Sequence, residues 1–152
     1  MREKLYNIPI NDAVNAGDEC PFCYIERSIE QDLMDFVLGS GSTYMEADVR
    51  EKTDKAGFCK IHYKKMFDYG NTLGNAWIMK TYLRNITKEA ETVFKEYKPT
   101  SNGLKAMFGK NEDKSINAIS RWIQKKQDSC FICAGFKDHY DRYMKTFFEM
   151  YD

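Results

Sequence analysis

No stretch of the chain approaches the roughly 18 consecutive apolar residues that a membrane-spanning helix needs, so no transmembrane segment is expected. An excess of charge of either sign is also missing. The 23 basic and 23 acidic residues cancel, which leaves no global field to draw the protein onto nucleic acid or an anionic membrane surface. Proline is scarce, with three residues in 152, and histidine scarcer, with two. The opening segment from Met1 to Ile10 lacks the apolar stretch of a signal peptide, so a cytoplasmic location is expected. Aromatic residues are plentiful: ten Phe, ten Tyr and two Trp, within a 43% hydrophobic fraction. That content excludes a disordered chain and suits a single domain with a real core.

Five cysteines are present. An odd number cannot pair completely within one chain, and a reducing compartment would not maintain disulfides. Their spacing points to metal ligation instead. Cys20 and Cys23 are separated by two residues, as are Cys130 and Cys133, and Cys59 is followed three places on by His62. Ligands three apart are how a chain presents paired donors to a tetrahedral ion.

The helical pattern is strong. A short extended opening (Leu5, Ile8, Pro9, Ile10) is expected, then a polar stretch from Asn11 to Glu19. Ile25, Ile29, Leu33, Phe36 and Val37 recur at helical spacing and stop at Gly39-Ser-Gly41. Ser42 or Thr43, with Glu46, reads as a capping box for a helix that carries Met45 and Val49 and ends near Gly57. A helix with Tyr63, Met66 and Phe67 follows, with a kink expected at Gly70-Asn71. Leu73, Trp77, Leu83, Ile86, Ala90, Val93, Phe94 and Tyr97 form one long apolar stripe, read as core, with a ligand groove or a homodimer seam as alternatives. Residues 99–113 read as a polar loop relieved by Leu104, Met107 and Phe108. Ile116, Ile119, Trp122 and Ile123 then mark a helix, and Phe136, Tyr140, Tyr143, Phe147 and Tyr151 mark a last one. No period-two alternation is sustained. The expected fold is all-α, a helical bundle with long antiparallel helices. It comprises a helical module over residues 1–98, the loop at 99–113, and a second helical segment over 114–152 packed on the first as one domain.

Met1-Arg-Glu-Lys-Leu-Tyr-Asn-Ile-Pro-Ile10, Cys20-Pro-Phe-Cys23, Tyr44-Met-Glu-Ala-Asp-Val-Arg50 and Gly57-Phe-Cys59-x2-His62 together resemble an uncharacterised family of bacterial proteins, found mainly in Clostridia-like Firmicutes. Some members carry an automatic label of ABC-transporter substrate-binding protein, which fits poorly with a chain that shows no export signal. The resemblance implies a helical cytoplasmic protein and supplies no activity. Cys130-Phe-Ile-Cys133 resembles the family's second pair, after which fuller members run on to another Gly-x-Cys-x2-His. On that comparison the chain reads as one complete metal-binding unit followed by half of another.

The residues themselves suggest a structural zinc site made by Cys20, Cys23, Cys59 and His62, three thiolates and one imidazole that close a tetrahedron. An iron–sulfur cluster on the same ligands is the alternative cofactor. The bland alternative makes the cysteines small buried hydrophobes and His62 a surface residue. Cys130 and Cys133 could bind a second ion with His139, join Cys20 and Cys23 in a four-thiolate site, serve as a dithiol, or pack without metal. Cys20-Pro-Phe-Cys23 also looks like the dithiol of glutaredoxin-type oxidoreductases. That fold needs a βαβ frame and a cis-proline loop, and neither Pro9 nor Pro99 has a strand context. Covalent haem is excluded because Tyr24 and Ala134 follow the two pairs. Di-iron Glu-x-x-His motifs, phosphate loops, His-Glu-x-x-His and Gly-x-Ser-x-Gly are missing. A Cys59–His62 dyad has no identifiable third group. Arg121-Trp-Ile-Gln-Lys-Lys126 and Lys60-Ile-His-Tyr-Lys-Lys65 interleave basic and aromatic residues, but an aromatic turned to the core and solvated lysines explain them without nucleic acid. A zinc-binding protein that recognises a protein partner or a small ligand is therefore expected ahead of an enzyme, with a thiol–disulfide redox protein as the alternative.

Overall fold

The computed structural model describes residues 6–18, 20–41, 43–97 and 114–151, with the backbone alone at 114–117 and 151. Among the described residues there are seven α-helices and no strand: α1 (Asn7–Asn15), α2 (Pro21–Leu38), α3 (Ala47–Ala56), α4 (Lys60–Asp68), α5 (Thr72–Lys95), α6 (Lys114–Gln127) and α7 (Phe131–Tyr151). The expected features at Leu5, Ser42 and residues 99–113, and the side chains of Ile116 and Tyr151, lie outside the described residues.

The opening expected to be extended is helical. Pro9 falls in the first turn of α1, where a backbone N–H has no partner within the helix to lose. Ile10 and Ala13, three apart, are then buried on one face. α2 starts with Pro21, whose fixed φ suits the first helical position, behind Cys20 as N-cap. Its Ile25, Ile29, Leu33 and Val37 recur every four residues and are buried, whereas Phe36 is left 46% exposed. Thr43 does not cap the next helix. Its hydroxyl donates to the Phe36 carbonyl at the end of α2, residues Thr43–Met45 form a single 3-10 turn, and Glu46 precedes α3.

Gly70-Asn71 is a full break, not a kink. Gly70 takes φ +88°, a conformation that favours glycine. The Asn71 side chain then accepts the Gly74 N–H at 2.9 Å and donates to the Leu38 carbonyl at 2.7 Å. One amide thus starts α5 and ties it to the end of α2.

α2 and α7 run antiparallel. Phe22 meets Phe147 edge to face at 5.0 Å between ring centroids, and Leu33 lies over Gly135, where a Cβ would stand 3.0 Å from its methyl. α1 packs on both helices and α3 on α5. The core gathers the buried face of α2 with Ile10, Tyr44, Phe58, Met66, Ile78 and Ile132. The α5 stripe is a correction to the sequence reading. Leu73 is 66% exposed, Leu83 52% and Phe94 50%, and only Gly74 and Ile78 of that helix are buried. Burial on α5 follows a face one residue away from the densest apolar run. α6 packs antiparallel to α5: Phe94 meets Trp122, while Glu89 accepts from Trp122 Nε1 at 3.2 Å and pairs with Lys126 at 2.7 Å.

Burial pushes the Glu89 carboxyl up, but Lys126 and Trp122 outweigh it and hold it below the ordinary carboxylate range. A depressed folded value stabilises the protein above the unfolded value and is lost as pH falls through the folded one. Glu89→Gln should therefore lower stability by about 1 kcal/mol at neutral pH, a figure reduced for partial exposure. The deficit, followed by urea unfolding at several pH values, should shrink below about pH 4.

Candidate metal centre

The site is assembled by the carboxyl end of α3. A helix leaves its last carbonyls without partners, and here three consecutive ones are met by the α6–α7 junction. The Lys55 carbonyl accepts from Lys126 Nζ at 3.2 Å, the Ala56 carbonyl from Ser129 Oγ at 2.6 Å, and the Gly57 carbonyl from the Phe131 N–H at 2.9 Å. Gly57 itself takes φ +64°, which turns the chain out of α3. Two residues on, Cys59 caps α4; on the other side of the clamp, Cys130 precedes α7. Two helix N-termini therefore face one spot, and their positive ends favour thiolates there.

The ligand atoms of Cys59, His62, Cys130 and Cys133 all lie within 4.8 Å of one another and could hold one metal ion. His62 Nδ1 is 3.1 Å from Cys59 Sγ and 3.4 Å from both Cys130 Sγ and Cys133 Sγ, while Cys59 and Cys133 sulfurs are 3.9 Å apart. A tetrahedron with ordinary zinc bond lengths requires about 3.8 Å between sulfurs and about 3.6 Å from sulfur to nitrogen. Four of the six edges thus lie within about half an ångström of those of a single-ion tetrahedron, and the other two sulfur–sulfur separations are no more than 4.8 Å. Burial pushes the Cys59 thiol up, but the His62 backbone N–H and the Cys130 and Cys133 side chains outweigh it and bring it below its ordinary value. Cys133 is pushed up to about 12, first by burial and then by Cys130 and Cys59.

His62 is 7% exposed and held from behind. Its Nε2 lies 3.0 Å from Glu30 Oε1 on α2, and Glu30 Oε2 accepts from Lys65 Nζ at 2.5 Å. The network assigns the proton to Nε2, donating to the carboxylate, and leaves the Nδ1 lone pair facing the sulfurs. Burial raises the Glu30 carboxyl, but Lys65 and His62 outweigh it and keep it below the ordinary range. Sequence reasoning missed Glu30, which reads as one more surface glutamate beside a core isoleucine.

The expected grouping of Cys20 and Cys23 with Cys59 and His62 is not the one the fold assembles. Cys59 and His62 do project together, as their spacing requires, but toward Cys130 and Cys133. Cys20 and Cys23 stand at the start of α2, where Phe22 between them packs on Phe147 of α7. Cys20 is half-buried and Cys23 exposed. His139 is exposed and packs on the Tyr143 ring, 6.3 Å between centroids. Cys20 does not join Cys130 and Cys133, because antiparallel packing puts the start of α2 against the far half of α7. A separate groove of about 720 Å³ between α3 and α5, lined by charges of both signs that include Arg50, Asp54, Arg84 and Lys88, contains none of these ligands.

Fold and site together define an all-helical protein with a preformed three-cysteine, one-histidine cluster. The chain matches the family described as Family of unknown function (DUF6062) over residues 1–152, and it belongs to that family. No curated protein and no solved structure matches it. No described helix is long and apolar enough to cross a membrane.

A Cβ on Gly57 would approach the Tyr82 ring to 2.6 Å, in a backbone conformation that side chains resist. Gly57→Ala should destabilise the fold by about 1–3 kcal/mol. It should also loosen the clamp, seen as faster amide exchange at Phe131.

Proposed function

We propose that Cys59, His62, Cys130 and Cys133 bind a single zinc ion that staples the α3–α4 junction to the α6–α7 junction. The observation that carries this reading is the set of donor separations, which fits one tetrahedral ion. A multinuclear iron–sulfur cluster places irons and sulfides between its ligands and needs them farther apart. Four protein ligands leave no open position for a substrate, so the centre is structural. Glu30 sets the His62 tautomer and Lys65 fixes Glu30. On this reading the protein works by presenting a metal-braced helical surface to a protein partner or a small ligand, in a reducing bacterial cytoplasm where thiolates stay available to metal.

Elemental analysis of protein purified without added metal should give about one zinc per chain. Cys59→Ser, His62→Ala and Cys130→Ser should each lose it and melt about 10 °C lower or more, because structural zinc contributes several kcal/mol and each is worth about 2–4 °C at this size. Cys20→Ser and Cys23→Ser should keep the metal. Metal-free wild-type protein, or metal lost on replacing Cys20, would overturn the assignment. Glu30→Gln should weaken zinc about 10–100-fold while retaining the fold, measured by chelator competition.

A further inference from the structure

The cluster leaves one chemically capable pair unused. Cys20 and Cys23 sit at the N-terminus of an 18-residue helix, with the Cys20 sulfur as the capping group. The Cys23 N–H points at Cys20 Sγ, 3.2 Å away. The same local geometry recurs at Cys130, whose sulfur receives the Cys133 N–H at 3.4 Å. The two pairs differ in what surrounds them. Cys130 and Cys133 meet Cys59 and His62, whereas no third Cys, His, Asp or Glu among the described residues completes a ligand group around Cys20 and Cys23.

From this geometry we infer that Cys20 and Cys23 form a thiol–disulfide exchange site, with Cys20 as attacking thiolate, Cys23 as resolving thiol, and small-molecule or protein disulfides as substrates. The pair has what the reaction requires. The backbone N–H groups of the first turn stabilise negative charge on Cys20. Both residues are reachable from solvent. The edge-to-face contact of Phe22 with Phe147 holds the intervening turn on α7. Cys20 lies below the ordinary thiol range, chiefly through the Cys23 side chain and N–H, and Cys23 lies above it, chiefly through Cys20. Two thiols with opposite displacement suit successive roles. Phe147, which packs on Phe22 between the two cysteines, is fourteen residues beyond Cys133, about 21 Å along α7 at 1.5 Å per residue, so the pair works apart from the metal cluster.

The reaction balances within these two residues and the substrate. Cys20 thiolate attacks one sulfur of R–S–S–R; that bond breaks, a mixed disulfide forms on Cys20, and R–S⁻ leaves and takes a proton. Cys23 gives its proton to solvent and attacks Cys20 Sγ, which releases the second R–S⁻ and leaves a Cys20–Cys23 disulfide. Two electrons pass from the dithiol to the substrate. The site differs from the glutaredoxin frame, since no strand exists among the described residues, and the chemistry rests on the helix terminus and two cysteines one turn apart.

The inference is tested on the full-length, metal-loaded protein with oxidised glutathione in the absence of air. Peptide mass spectrometry should find a Cys20–Cys23 disulfide with two glutathiones released per chain, while zinc stays bound. Cys23→Ser should trap glutathione on Cys20 at least about threefold faster than Cys20→Ser traps it on Cys23, because the backbone N–H of position 23 still points at Cys20 Sγ in the first variant and stabilises its thiolate. The pH profile of iodoacetamide alkylation should place the Cys20 midpoint below that of Cys23. Absence of the disulfide, linkage to Cys59, Cys130 or Cys133, an unordered pair of alkylation midpoints, or a second metal ion held by the pair would each overturn it. Zinc content, read in the same samples, reports separately on the Cys59–His62–Cys130–Cys133 centre.

Discussion

Three hydrogen bonds to the carboxyl end of α3 organise this molecule. Lys126, Ser129 and the Phe131 N–H satisfy the carbonyls of Lys55, Ala56 and Gly57. The carbonyls of half-buried Ala56 and buried Gly57 would, if left unsatisfied, cost free energy comparable to a lost hydrogen bond each, so the junction is favoured by what it spares as well as by what it forms. The clamp decides which cysteines meet. It fixes the turn before Cys59 to the turn before Cys130, and two helices then start side by side. Lys126 extends the same constraint to Glu89 on α5, so one side chain joins three helices.

Much of the fold was legible because its determinants are local. The four-residue recurrence along α2, the stop at Gly57 and the helix behind each cysteine pair all follow from spacing and turn chemistry. So does the convergence of Cys59 and His62, which share the first turn of α4. Pairing between Cys-x2-Cys and Cys-x2-His was not legible. Each pair presents its thiols in nearly the same way, and the choice rests on a contact between residues 74 positions apart. Nothing in a ligand spacing encodes the clamp, whose donors are a serine, a lysine and a backbone N–H.

The other differences have equally physical causes. Pro9 suggested extended chain, yet the first turn of a helix tolerates it. Gly70 and Asn71 looked like a weakened helix, and an asparagine bonded to two segments made them a corner. The α5 stripe carries the strongest apolar pattern in the sequence, yet the helix buries the neighbouring line through Gly74 and Ile78. Glycine lets α5 approach α2 more closely than a stripe of large side chains would, and proximity takes precedence over bulk. Glu30 was invisible for a simpler reason: a carboxylate becomes a support for His62 only after α2 and α4 are packed.

The clamp also makes α4, α5 and α6 a closed circuit. The chain leaves Gly57, travels through three helices and returns to the same hydrogen bond at Phe131. His62 and Cys130 are 68 positions apart along that path. The entropy of closing so long a path grows only slowly with length, about 0.6 kcal/mol for each doubling. Closing so long a path therefore costs little more than closing one half its length, and the hydrogen bond at Phe131 keeps the two ends that carry the cysteines in register.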